Sequence, residues 1–211
     1  IVWHTVPFGH RDTYPLNILS QILSTRTGRL YKGLVLGSQA ATDVSAGPIH
    51  RKWAGLFNIS AEASPGHKPE AVEQSIYAEL EKLRTEEVPP EELQKVKNNF
   101  SAAEYRRLTG NMPILMQLMF NDGLGDWREV NEAGPKHQAV TAADVKRVAN
   151  TYFTKENRAV AIYTRKAGQP EVSPVTGLSA EEQSALRSLA AMLKEETDAG
   201  KLGQALRALA E

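Results

Sequence analysis

The chain has 211 residues, with 25 Lys plus Arg against 25 Asp plus Glu and a formal net charge of zero. That balance speaks against a nucleic-acid footprint, which needs a basic surplus or stripe, and short basic pairs such as Arg106-Arg107 read as solvated helix faces. The absence of cysteine excludes disulfides, thiolate metal sites and a cysteine nucleophile, and no apolar run approaches the roughly twenty residues of a membrane span.

The length suits one sizeable α+β domain with its own core, or one domain plus a tail. No signal-peptide pattern opens the chain. Ile1 to Val6 has strand composition, so the sequence is expected to be a piece cut from a longer protein.

Pro7 and Gly9 end the first strand. Tyr14-Pro15 starts a helix, with Pro15 in the first turn where its missing N–H is no loss. This helix is expected to bury Leu16, Leu19, Ile22 and Leu23, and Gly28 breaks it. A second helix carries Leu30, Leu34 and Val35 on one face. Residues 40–46 read as a strand of small residues, and Gly47-Pro48 as a turn. From Trp53 to Ser64 the pattern alternates, with Trp53, Gly55, Phe57, Ile59, Ala61 and Ala63 sharing one face of a half-buried strand. Pro65-Gly66 ends it.

Lys68 to Glu86 is the clearest helix, with Val72, Ile76, Leu80 and Leu83 in one stripe. Pro90, Glu91 and Glu92 suit the start of the next, where proline and acids are favoured. Leu93, Val96 and Phe100 continue its apolar face. Pro113 is expected to break or kink the pattern. An apolar segment then runs from Ile114 to Phe120 and closes at Gly123 and Gly125. Asp126-Trp127-Arg128 begins a short helix expected to end at Gly134-Pro135. Thr141 to Asp144 resembles a capping box and opens a helix burying Val145, Val148, Ala149 and Tyr152. Residues 158–164 read as a closing strand.

After Arg165, Gly168, Pro170, Pro174 and Gly177 make a linker. Ser179-Ala180-Glu181-Glu182 is a capping box, followed by stripes of Leu186, Leu189, Leu193 and then Leu202, Leu206, Leu209. The domain expectation is thus 1–167, a linker at 168–178, and a helical tail at 179–211. The element order favours an α+β fold, an antiparallel or mixed sheet with helices packed mainly on one face.

Motifs in order along residues 1–165 resemble one domain of the pitrilysin/insulinase-type zinc peptidases. They are Gly9-His10-Arg11-Asp12, then Gly28-Arg29-Leu30-Tyr31-Lys32 with Leu34, then Gly66 ahead of a helix through Glu79 and Leu83. Val88-Pro89-Pro90-Glu91-Glu92-Leu93 and Thr141 to Val145 with Tyr152-Phe153 complete the series. Catalytic domains of that family hold an inverted His-x-x-Glu-His motif, in which two His and a distant Glu bind Zn²⁺ and the inner Glu is the general base. This chain lacks it. Its histidines are His4, His10, His50, His67 and His137, and no two have that spacing. His10 and His67 follow glycines in turns, and His4 lies on a strand.

The resemblance therefore implies the zinc-free, inactive type of domain. That type often supplies an Arg and, seven residues later, a Tyr that reach the substrate backbone and oxyanion. Aligning on Leu34 puts those substrate-binding positions at Val35 and Thr42, and neither residue type matches. Arg29 and Tyr31 read as a helix-surface Arg and a packing Tyr. No catalytic residue and no metal ligand is expected in this chain. The implied function is the second wall of a peptide chamber docked to a zinc-bearing domain, on the same polypeptide or a separate subunit, with zinc in that partner and a peptide as substrate. A homodimer is also open. The alternative is a catalytically dead scaffold module of a larger assembly, and a third reading, an enzyme using Asp12, Asp43 or Glu62, has no diagnostic spacing. The resemblance implies a bacterial, periplasmic location.

Overall fold

A computed structural model describes residues 1–164. The expected linker at 168–178 and helical tail at 179–211 lie outside the described residues. Within them the chain forms β1 (Val2–Thr5), α1 (Thr13–Ser24), a π-helix (Tyr31–Gly37), β2 (Ala41–Ile49), β3 (Gly55–Ala63), α2 (Pro69–Thr85), α3 (Pro90–Arg107), α4 (Asn111–Leu124), α5 (Glu129–Ala139), α6 (Ala142–Tyr152) and β4 (Arg158–Ala159). The four strands make one antiparallel sheet in the order β2-β3-β1-β4. The α+β class is as the sequence implied.

One sheet face is dry. Trp3, Val44, Phe57 and Ile59 are buried there, whereas the alternate residues His4 and Ser60 are exposed. Helices α1, α2 and α6 cover that face through α1 against β2, α2 against β3 and α6 against β1. At its centre Phe153 meets Trp3 and Phe57 edge-to-face, both with ring centroids 5.0 Å apart, a geometry that suits the ring quadrupoles. Helix α1 buries Leu16, Leu19, Ile22 and Leu23 as the spacing predicts, and Ile18 as well. Each such side chain contributes about 1.5–3 kcal/mol of burial. Val72, Ile76, Leu80 and Leu83 are the buried residues of α2. The capping box of α6 forms as read: Asp144 N–H donates to Thr141 Oγ1 (3.1 Å), and Thr141 N–H donates to Asp144 Oδ2 (3.0 Å).

Several expectations are corrected. Gly47-Pro48 is not a turn, because β2 runs through it with Pro48 opposite Phe57. β2 is an edge strand, where proline is tolerated. Trp53 precedes β3 and is 83% exposed, so the inward alternation begins only at Gly55. A Cβ at Gly55 would lie 2.3 Å from the Val6 carbonyl oxygen, and this close approach of two strands demands glycine. Helix α5 does not stop at Gly134-Pro135 but continues to Ala139. A Cβ at Gly134 would meet only the carboxylate end of Glu104, 2.6 Å away, which is free to turn aside, and α3 packs on α5 along this stretch. Pro113 neither breaks nor kinks a helix. The break falls at 108–110, and Pro113 sits in the first turn of α4, where a proline needs no donor. The closing strand is only Arg158–Ala159. The second helix near Leu30 takes π geometry over Tyr31–Gly37.

Candidate functional site

The sequence pointed to the stretch holding Val35 and Thr42, and its backbone is unusual at three successive places. Tyr31–Gly37 is a π-helix, closed by Ser38 N–H donating to the Gly33 carbonyl at 2.9 Å. Gln39 then adopts φ +54°, a left-handed conformation uncommon outside glycine. The β2–β3 register next shifts between Ala41 and Asp43, which leaves Thr42 at a bulge. Isolated π-turns, left-handed non-glycine residues and bulges each cost free energy or a paired hydrogen bond, and all three gather at functional sites. The side chains are less suggestive. Val35 is half-buried and packs against the core, and it offers no donor. Thr42 is exposed, and its hydroxyl donates to the Glu62 carbonyl oxygen at 3.3 Å.

The two motif segments flanking this stretch act as clamps. Gly28 is fixed by sterics, since a Cβ there would sit 2.6 Å from the Leu23 carbonyl oxygen. Arg29, expected to be a surface residue, instead forks onto Glu92 at the start of α3. Its Nε donates to Oε1 (3.1 Å) and its Nη2 to Oε2 (2.6 Å), a bidentate geometry only arginine provides. This one contact joins the Gly-Arg-Leu-Tyr-Lys motif to the Pro-Pro-Glu-Glu-Leu motif. Tyr31 is half-buried against the core, as a packing residue should be.

Asp12 is the second clamp. Its carboxylate is buried, with Oδ1 accepting from Arg147 Nη2 (2.8 Å) and Oδ2 from the Tyr152 hydroxyl (2.7 Å). Burial pushes its pKa up, but the hydrogen bonds from Arg147 and Tyr152 outweigh that and hold it below the ordinary carboxylate value. Asp12 thus ties the Gly-His-x-Asp turn to α6. His10 serves the same turn, its Nδ1 accepting from Asp12 N–H at 3.1 Å. Asp43 and Glu62 are register partners on β2 and β3, and both are exposed. The three acids of the third reading therefore do not converge on one centre.

One buried polar group gave no sequence signal. His137 stacks on Phe100 (centroids 4.4 Å apart, planes at 12°) and meets Tyr14 edge-on at 5.3 Å. Its Nε2 lies 3.0 Å from Asn17 Nδ2, and its Nδ1 lies 3.4 Å from Glu104 Oε1 without a formed hydrogen bond. Burial drives its pKa down to about 4, so the imidazole is neutral at pH 7 and the Glu104 contact is not an ion pair. With Nε2 accepting from the Asn17 amide, the ring proton sits on Nδ1. Beside it, buried Glu129 accepts from the Tyr14 hydroxyl (2.7 Å) and from Lys136. Such a histidine follows a helix-like spacing with no turn or motif to mark it. Only the packing of α3 and α5 onto α1 reveals it.

Among the described residues no three His, Cys, Asp or Glu side chains gather into a group that could hold a metal ion, and no helix is long and apolar enough to cross a membrane.

Residues 1–100 match the family profile described as the peptidase M16 inactive domain. The chain is 27% identical over 161 residues to the zinc protease PqqE of Helicobacter pylori, covering 75% of this chain and 36% of that protein. A protease structure from Helicobacter pylori superposes with a TM-score of 0.68 at 26% identity, over 74% of this chain and 38% of that one. An inactive peptidase domain from Bordetella parapertussis superposes with a TM-score of 0.69 at 25% identity, over 77% of this chain and 89% of that domain. The chain thus spans a little over a third of its curated relative and nearly all of a solved inactive domain. Its first 100 residues thus match the inactive domain of the peptidase M16 family, and the chain is similar in sequence and fold to proteins described as zinc proteases and their inactive domains.

Proposed function

We propose that this domain is the zinc-free wall of a zinc peptidase, docking to a zinc-bearing domain and closing a chamber that takes extended or unfolded peptides. The carrying observation is the stretch from Tyr31 to Asp43. Its π-turn, left-handed Gln39 and bulge are backbone features that a mere packing element does not need, while Val35 and Thr42 lack the long donors the family places there. Both motif clamps, Arg29 on Glu92 and Asp12 on Arg147 and Tyr152, remain intact around it. The scaffold is kept and the transition-state donors are gone. In this reading β2, β3 and the π-helix face the chamber, the peptide contacts backbone there, and zinc, general base and attacking water belong to the partner.

Two measurements test this. The purified chain, incubated with Zn²⁺ and desalted, should hold far less than one zinc per chain by mass spectrometry. One tightly held zinc would overturn the reading. A peptidase assay should show activity only when a His-x-x-Glu-His domain is co-expressed with this chain. A stable complex without peptidase activity would favour the scaffold alternative.

A further inference from the structure

Helix α4 is apolar on two faces, and the fold uses only one. Ile114, Gln117, Leu118, Asn121 and Leu124 point inward and are half-buried. Met112, Leu115, Met116, Met119 and Phe120 recur at i, i+3, i+4, i+7 and i+8 and are 49–66% exposed. None of α4 is fully buried. A helix that is apolar all round is normally enclosed, and this one is open along a stripe about 12 Å long. Gln117 Nε2 donates to the Arg107 carbonyl (3.2 Å), which holds α4 against the end of α3. Leu108, in the connection before α4, and Trp127, just after it, are also exposed. With roughly 200 Å² per large side chain, the five stripe residues present on the order of 600 Å² of apolar surface. A typical monomer's largest apolar patch is about 300–600 Å², and a standard interface takes about 800 Å² from each partner.

We propose that a second copy of this chain covers the stripe, the two α4 helices packing antiparallel about a twofold axis. The stripe lies at the upper end of what a monomer normally exposes, and two observations select that occupant. The formal net charge of the chain is zero, so two copies approach without repulsion. The charges at the two ends of the stripe are opposite. Exposed Arg106 and Arg107 precede α4, and exposed Asp122 lies in its last turn, with Asp126 beyond it in an ion pair to Arg128. An antiparallel twofold brings the arginines of one copy to the Asp122 end of the other, whereas a parallel pairing would oppose like charges. An isologous contact of this kind closes on itself and stops at two. It uses the helical layer and is independent of the zinc-partner reading.

The test is the mass of the full chain in solution by light scattering on a sizing column, over micromolar to submillimolar concentrations. The expected result is a concentration-dependent dimer that Met116→Glu, at the centre of the stripe, converts to monomer at every concentration. Far-UV circular dichroism should be unchanged, because Met116 is exposed, and the melting temperature should equal that of the wild type at concentrations where it is monomeric. Met119→Lys provides a second, independent disruption. Arg107→Glu should weaken the dimer, and adding Asp122→Arg should restore it. A wild-type chain that stays monomeric throughout overturns the proposal and leaves the stripe to the zinc-bearing domain or to residues 165–211. A dimer indifferent to Met116→Glu and Met119→Lys overturns it as well, by placing the interface elsewhere.

Discussion

Asp12→Asn removes a charge from the Gly-His-x-Asp turn and leaves its shape. In the wild type both carboxylate oxygens accept, one from Arg147 Nη2 at 2.8 Å and one from the Tyr152 hydroxyl at 2.7 Å. An amide must turn its NH₂ toward one of these donors, so at least one charge-assisted bond is lost. Hydrogen bonds to charged groups contribute about 1.5–3 kcal/mol each. The Arg147 side chain is 39% exposed, so water recovers part of its loss and the upper end does not apply. We expect a net loss of about 1.5–2.5 kcal/mol, which for a domain of this size lowers the melting temperature by about 3–10 °C. The pH dependence is a stricter check. The folded pKa of Asp12 lies below its ordinary value, so the stabilisation is fully present above the unfolded value of about 4 and disappears as pH falls through the folded one. Urea titrations of both proteins should therefore differ by a constant amount from neutrality down to about pH 5 and converge in stronger acid. Equal stability at pH 7, or a gap that persists unchanged at the lowest pH at which both fold, would refute the clamp.

Arg29→Lys keeps the charge but not the fork onto Glu92, and should lower stability by about 1 kcal/mol in urea, with Arg29→Ala lower still. Gly28→Ala drives a Cβ to 2.6 Å from the Leu23 carbonyl. It should cost upwards of about 2 kcal/mol, as overpacking against backbone does, while Trp53→Ala should stay within about 0.5 kcal/mol because Trp53 is solvent-exposed. His137 has its folded pKa pushed down to about 4 from an unfolded value near 6.5. Its contribution is complete above that unfolded value and fades as pH falls toward the folded one, by about 1.4 kcal/mol per unit. His137→Phe should abolish that slope in urea titrations between these two pH values, and a slope that survives would mean other groups carry it. If the proposed chamber reading holds, Val35→Arg with Thr42→Tyr introduces the donor types that the family resemblance implies at these positions. In the assembled peptidase it should raise kcat rather than lower KM, and a change in KM alone would mean these positions only bind.

Patterns confined to one element were legible in the sequence. The stripe Val72, Ile76, Leu80, Leu83 is a property of helical period, and the Thr141–Asp144 box of three consecutive peptide units, so both could be read before any fold was known. The family motifs were legible for the same reason, as short runs at set spacing. Their purpose was not. Arg29 looked like a surface residue because its partner Glu92 lies 63 positions away, and Asp12 could pass for a reactive acid until α6 brought Arg147 and Tyr152 to it across 135 and 140 positions. Gly47-Pro48 and Gly134-Pro135 read as stops because glycine and proline weaken local structure. Pairing of an edge strand with β3 and close packing of α3 on α5 overrode that weakness. The outward stripe of α4 was equally hidden, since an apolar run looks the same whether a core or a partner covers it. The sequence alone determined the periodic helices, the caps and the absence of a zinc motif, because each depends on neighbours in the chain. Tertiary structure alone decided which charges are clamps, which histidine is buried and which apolar face stays open, because those depend on groups that only folding brings within a few ångströms.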